Sequence, residues 1–432
     1  MTSSAKLNEW GAWQTACRLT RRELKAEDLA RACLDRVAER DAEVRAFVHL
    51  DPDAVLAQAR ALDAGPIRGP LHGLPLGVKD LFDTADAPTT YGSPIYAGHR
   101  PAADAAAVAL CREAGALVLG KTVTTEFAYF HPGPTRNPRN LAHTPGGSSS
   151  GSAAAVADAM LPLALGTQTA ASIIRPAAYC GVVGYKPSAC RVPRAGVKSL
   201  SETLDTVGGF GRSVRDVALL GAVLTGDARL LADLDGYSGR APRIGLCATP
   251  DWRAADDDVW SAWAHAQAVL APQAAACAQA AWPAELTDLV ALQKAVMAHE
   301  MARALSAERV QHREALSPRL RALFDEGVVI SGEQHAANLV QVRTSRRTAD
   351  AWFEDFDVLL CPSATGEAPA GIDTTGDPLF GRGWTVLGLP CVHLPFATGR
   401  RGLPVGLQLV GRQAEDHRLL AAAQWCMDRL LA

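Results

Sequence analysis

Ala30, Cys33, Leu34 and Val37 recur at intervals of three or four among charged neighbours, a spacing that predicts an amphipathic helix. A second helical segment runs from Asp53 toward Gly65. Past the Gly/Pro-rich stretch RGPLHGLPLG the period shortens, and Leu76 to Lys79 reads as a strand. Asp104 is placed to cap a helix over Ala105 to Ala114, which Gly115 ends in a left-handed turn, and ALVLG follows as a short buried strand. From His131 to Gly211 the chain is punctuated by Gly, Ser and Pro. From Asp257 to about Asp355 it is helical, Ala-rich and Arg-rich. DVLLC (Asp357 to Cys361), LGLPC and LPVGLQLVG (Leu403 to Gly411) return as strands, and Glu415 to Leu431 closes as a helix. Strand patterns in both halves, without a repeat or a low-complexity linker, predict one large α/β domain over 1–432. Its parts are N-terminal helices in 1–65, a Gly/Ser-rich region in 66–211, a helical excursion in 257–355, and returning strands with a final helix in 356–432.

Composition narrows the function classes. Hydrophobic residues make up 48% and charged residues 21%, with 37 Gly and 26 Pro, as in a soluble, loop-rich globular protein. A net charge of -3 offers no field for a polyanion, so no nucleic-acid partner is expected. The most apolar stretches, Ala153 to Gly166 and Val217 to Gly226, fall short of the roughly 18 to 20 residues that span a bilayer or are interrupted by Asp158, so no membrane association is expected. The first thirty residues lack a basic start followed by an apolar core, and a cytoplasmic protein is the expectation. The ten Cys form no C-x-x-C pair and no Cys/His ligand spacing, which argues for reduced thiols and against a structural metal.

Three patterns compete for the chemistry. Gly115 to Thr122, GALVLGKT, has the form of a phosphate-binding loop. A helix precedes it, however, and its apolar middle favours a core strand ending in a solvated Lys121. GSSSG, Gly147 to Gly151, has the form of a nucleophile elbow with Ser149 as nucleophile, but RNPRNLAHTPG before it is a loop where an elbow needs a strand. The third pattern is dispersed: Lys79 ends an apolar strand, Ser148 sits in the Gly-rich loop, and Ser172 lies in a small-residue turn before IIRPAA.

Together with their surroundings these last residues resemble the amidase signature family. The likeness runs through GPLHGLPLGVKD, GKTVTTEFAYF, PGGSSSGSAAAVADAMLPLALGTQTAASIIRPAAYCGVVGYKPS, LGLPCVHLPF and GLPVGLQLVG, and the intervals between Lys79, Ser148 and Ser172 agree with the family's pattern. The TQT and S-x-I-R-P-A wording is similar to the malonamidase-like branch. The resemblance implies a central mixed β-sheet covered by helices, a Ser172–cisSer148–Lys79 triad, and a cofactor-independent hydrolase that cleaves a small amide through an acyl-enzyme. The chemistry is coherent in itself. A serine hydroxyl needs a base, lysine serves only when neutral, and the apolar neighbours Leu76, Val78 and Leu81 lower its proton affinity.

A tetrahedral oxyanion needs donors, for which the backbone N–H groups of Thr169, Ala170, Ala171 and Ser172 are the candidates. Here the chain departs from the family wording: Gln168, Ala170 and Ala171 stand where Asp and two Gly are usual. Either the turn keeps negative φ with a narrower acyl pocket, or the site is impaired. The candidate substrate-binding residues are Arg175, whose planar fork suits a carboxylate or a structural ion pair, with Tyr129, Gly147 and Trp384. Phe130 is a further aromatic beside them. Other readings stay open: a glutaminase-type subunit of an amidotransferase, which needs a partner; an NTP-binding protein using GALVLGKT; and a catalytically impaired family member. A homodimer is also left open.

Overall fold

The computed structural model describes residues 6–236 and 240–432, without the side chains of 235 and 236. Among these residues eleven strands form one sheet. In chain order they are β1 (Phe47–Leu50), β2 (Pro75–Lys79), β3 (Leu117–Thr122), β4 (Leu163–Gln168), β5 (Val183–Lys186), β6 (Thr206–Gly211), β7 (Arg243–Leu246), β8 (Ala276–Gln279), β9 (Val358–Pro362), β10 (Cys391–Thr398) and β11 (Pro404–Gly411). They lie in the order β1-β3-β2-β4-β6-β5-β10-β11-β9-β7-β8. The sheet is mixed: β3, β2 and β4 run parallel at one end and β9, β7 and β8 at the other, and the pairs between them are antiparallel.

Burial follows from this layering. Every residue of β2, β3, β4 and β6 is buried, as expected of strands covered on both faces. The edge strands β1 and β8 are only four residues long and largely unburied, short enough to limit edge pairing. One large apolar cluster gathers Leu76, Val156, Leu165 and Phe210; a second gathers Ile244, Leu360, Leu407 and Leu420. No described helix is long and apolar enough to cross a membrane.

The expected helices appear as Ala26–Val44, Pro52–Ala64 and Asp416–Leu430. Four local expectations need correction. Asp104 does not cap the helix Ala106–Glu113; its carboxylate accepts from the Ala85 N–H and pairs with Arg112. The helical excursion is interrupted by β8, which finds its partner only in β7. LGLPC is not one strand, because a helix ends at Leu387 and β10 begins at Cys391. Lys121 is not solvated. Its Nζ is buried 3.1 Å from Asp80 and donates to the Phe82 carbonyl and the Thr89 hydroxyl, so β3 is a core strand rather than a phosphate loop.

Parallel pairing of β2 with β4 brings the carboxyl ends of both strands to the same edge of the sheet. That edge is where open α/β sheets carry their ligand crevices. Lys79 ends β2, and the turn holding Ser172 follows β4 directly. The helix Ser150–Ala157 starts two residues after Ser148 and lies against β4 and β2. Its first turn requires Gly151, since any Cβ there would collide with the Ala46 carbonyl and the Val123 backbone.

Candidate active site

Lys79 is fully buried, and its Nζ donates to Ser148 Oγ at 2.8 Å and to Thr167 Oγ1 at 2.7 Å. Burial pushes its pKa down to about 7, opposed by the negative field of Asp205. The Gly147–Ser148 peptide is cis. Ser148 and Ser172 line one small cavity, together with Thr169, Ala170, Arg175 and the aromatic side chains of Tyr129 and Phe130. Phe127 and Ala128, just before those aromatics, both have positive φ, a conformation that non-glycine residues adopt only under strong local constraint.

The turn after β4 answers the question raised by its alanines. Ala170 and Ala171 are absent from the residues with positive φ, so no glycine is required there. Gln168 holds the turn in place: its Oε1 accepts from the N–H groups of Ile173 and Ile174 at 3.0 and 3.1 Å, and its Nε2 donates to Thr385 Oγ1. A neutral amide thus satisfies both donors and is itself anchored by the helix Leu379–Leu387. The N–H groups of Ala170, Ala171 and Ser172 have no hydrogen-bond acceptor among the described residues, which leaves them free for a ligand oxygen. The expected narrowing by two methyls is corrected: only Ala170 lines the cavity, and Ala171 packs against Gly381.

Arg175 is buried, and its guanidinium donates to the carbonyl oxygens of Gly147 and Gly376, both at 2.7 Å. It forms no ion pair with an Asp or Glu of the described residues, so the structural ion pair is excluded and carbonyls hold the fork instead. Its Nε has no partner. Burial lowers its pKa to about 10, opposed by Tyr179 and Asp377 and helped by the positive charge of Arg382. Both guanidiniums face the Phe130 ring, at 5.7 Å for Arg175 and 6.0 Å for Arg382. Arg382 donates to Gln293 and likewise has no carboxylate partner among the described residues.

Three further sequence expectations are sorted by the geometry. Gly147 contributes its carbonyl to Arg175 rather than lining the cavity. Trp384 is displaced from the site: it lines a separate cavity with Trp282, Asp251 and Lys294. Ser149 is fully buried, with its Oγ within 3.3 Å of the Thr167 backbone, so it presents no nucleophile to solvent and the elbow fails. Sequence reasoning missed Thr167, Gln168's role as a clamp, and Asp205, which accepts a hydrogen bond from Thr169. Thr167 was recoverable in principle, since alternate strand positions share a face; Asp205 carried no local signal.

The amidase profile matches residues 28–420. The glutamyl-tRNA(Gln) amidotransferase A-subunit of Acidothermus cellulolyticus is 46% identical over 235 residues, which are 52% of this chain and 46% of that one. Its counterpart in Anaeromyxobacter dehalogenans is 34% identical over 477 residues, covering 98% of this chain and 96% of its own. Among solved structures, native peptide amidase from Stenotrophomonas maltophilia superposes with a TM-score of 0.81 at 29% identity, covering 98% of this chain and 97% of that one. With the mixed sheet and the match over nearly its whole length, the chain belongs to the amidase (amidase signature) family, hydrolases that act on amide C–N bonds.

Proposed function

We propose that this protein hydrolyses a small amide bearing a carboxylate on its acyl side, through an acyl-enzyme on Ser172, to a carboxylate product and ammonia. The observation that carries the reading is the buried Lys79 in hydrogen-bond contact with Ser148, in the cavity that Ser172 also lines. Neutral Lys79 accepts a proton from Ser148 as Ser148 accepts one from Ser172, and Ser172 Oγ attacks the amide carbon. The free N–H groups of Ala170, Ala171 and Ser172 stabilise the oxyanion. The proton returns through Ser148 to the leaving nitrogen, and water then cleaves the ester.

The acyl-side carboxylate is argued from charge. Two buried guanidiniums, Arg175 and Arg382, share the face of Phe130 with no carboxylate of the described residues in direct contact; the field of Asp377 reaches both, and a ligand carboxylate between them would supply the closer anion that buried cations favour. On this reading the protein stands nearest the malonamidase-like branch. A second reading, the glutaminase-type component of an amidotransferase, is favoured by the likeness to the two glutamyl-tRNA(Gln) amidotransferase chains and requires a partner protein for full activity. The test is an ammonia-release assay over carboxylated, neutral and aryl amides and glutamine, with hydroxylamine added to intercept the acyl-enzyme. Hydroxamate formation and a preference for carboxylated amides support the first reading. Turnover of glutamine alone supports the second.

A further inference from the structure

The cavity around Ser148 and Ser172 has a volume of about 20 Å³, room for one water molecule and not for an amide. A second cavity of about 280 Å³ lies beside it and includes neither serine. Its rim carries the exposed residues Ala195 and Glu202. Ala128, Thr169 and Leu200 line both spaces. A substrate therefore reaches Ser172 only when a wall of the small cavity gives way.

We infer that the side chain of Leu200 is the movable partition between the two cavities, and so sets the length of the amide that the site accepts. The inference rests on the hydrolysis proposed above and names the residue that bounds its substrate. Of the shared residues, Leu200 alone has a side chain that can turn aside. Ala128 carries only a methyl group, on backbone held at φ 60°. Thr169 is tied at both ends: its hydroxyl donates to Asp205, and its carbonyl accepts from Gln293 Nε2 at 3.0 Å. The isobutyl group of Leu200 is held by packing alone and has other staggered rotamers open to it. Close packing ordinarily leaves a buried side chain nowhere to turn, but Leu200 faces the open volume of the larger cavity. The aromatic wall of the small cavity is fastened instead: two guanidiniums face the Phe130 ring, and the Tyr129 ring meets it edge-on at 4.9 Å.

The opening is a rotation of one side chain, because the backbone on either side of Leu200 is anchored. The Lys198 N–H donates to the Leu81 carbonyl at 3.0 Å, while its ammonium pairs with buried Glu308 and stands 5.1 Å from the centre of the Tyr96 ring. The N–H groups of Leu200 and Ser201 donate to Asp205 at 2.8 and 3.0 Å, and the Ser201 hydroxyl donates to Glu300. Asp205 thus fixes the base of the partition and, through Thr169, the turn that carries Ser172. When the isobutyl group swings into the larger cavity, the two spaces become one, running from Ser172 toward the rim.

The experiment uses two reagents with one reactive group, methanesulfonyl fluoride and the bulkier phenylmethanesulfonyl fluoride, on the full-length protein. Attack by Ser172 Oγ forms a sulfur–oxygen bond, fluoride leaves, and the serine proton passes to Ser148 and Lys79; mass spectrometry reads the rate of Ser172 labelling. Leu200→Ala, which leaves the partition open, should raise the ratio of bulky to small reagent rates about tenfold or more, the scale on which an apolar pocket discriminates by size. Leu200→Phe, which plugs it, should lower that ratio by a similar factor. Leu200→Met, flexible and of similar volume, should stay within about twofold of the wild type. The ratio of adipamate to malonamate turnover should follow the same order. If Leu200→Ala and Leu200→Phe, both folded by circular dichroism, leave both ratios at wild-type values, the partition is overturned and the hydrolase reading survives. If the wild type is labelled at Ser172 by neither reagent and cleaves neither amide, the hydrolase reading itself fails, and the partition with it.

Discussion

The guanidinium of Arg175 donates to the carbonyl oxygen of Gly147 across 2.7 Å, and so ties the helix that follows Ser172 to the peptide that carries Ser148. The same side chain reaches Gly376 at 2.7 Å, which adds the segment leading into the helix Leu379–Leu387. One buried side chain thus holds together three of the segments that line the small cavity.

Arg175→Lys should therefore damage two properties at once. A lysine ammonium is a point donor without the planar fork, so it cannot span both carbonyls and still face a substrate anion. The preference for short monoamides of dicarboxylic acids over neutral amides of equal length should fall about 10- to 100-fold, the equivalent of one charge-assisted contact of about 1.5 to 3 kcal/mol. Steady-state kinetics on a matched substrate pair measures it. An unchanged ranking would make the arginine purely structural.

Ser172→Ala should abolish turnover and hydroxamate formation with the fold intact, while Ser149→Ala should keep most of the activity, because Ser149 faces the β4 backbone. Circular dichroism checks the fold of both variants. The opposite result would restore the nucleophile elbow.

Activity should rise with pH through about 7, where burial has placed the Lys79 pKa, since only the neutral amine accepts a proton. Lys79→Arg should be inactive, because a guanidinium stays protonated at any working pH. The same shift has a consequence for stability. Lys79 binds its proton more weakly in the folded state, where its pKa is about 7, than in the unfolded state near 10.5. Between those values the unfolded chain holds more protons, so this residue's contribution to stability rises with pH across that window and is least favourable below about 7. Urea titrations of the wild type and Lys79→Met at pH 7 and pH 9 measure it: the wild type should gain on Lys79→Met as pH rises.

Gln168→Ala should leave the buried N–H groups of Ile173 and Ile174 without their acceptor, at a cost of about 1–3 kcal/mol for each unsatisfied donor. Denaturant unfolding should register the loss, and kcat should fall because the donor turn loosens. A variant as stable and as active as the wild type would remove Gln168 from the clamp.

Gly381→Ala tests the seating of the helix on that turn. A Cβ at this position would stand 2.5 Å from Ala171 Cβ and 2.7 Å from the Ala170 carbonyl oxygen, so the helix must retreat. Overpacking of this kind costs about 1–3 kcal/mol, and kcat should fall with it. Full activity at unchanged stability would show that the contact relaxes freely.

Neighbouring residues alone were enough to mark the helices at Ala26–Val44 and Pro52–Ala64, the strands β2, β3, β9 and β11, and the closing helix, because hydrophobic periodicity is a property of ten or so adjacent positions. The Gly/Ser-rich wording around Ser148 and Ser172 was legible for a related reason: small residues are needed wherever backbone must approach backbone or ligand, and they leave a mark in the chain whatever lies around them. The remainder depended on partners far along the chain. β8 is a strand only because β7 offers it an edge. Lys121 is buried because Asp80 and the carbonyl of Phe82 meet it, and Trp384 lies outside the site because Trp282 and Trp352, far along the chain, pack against its ring. Gln168 could be recognised as a clamp only once the turn had folded back over it, and Asp205 joined the site from β6's entry loop. A hydrogen bond or an ion pair is specified by two groups and the geometry between them, and for these residues the chain brings the second group into place only through the sheet.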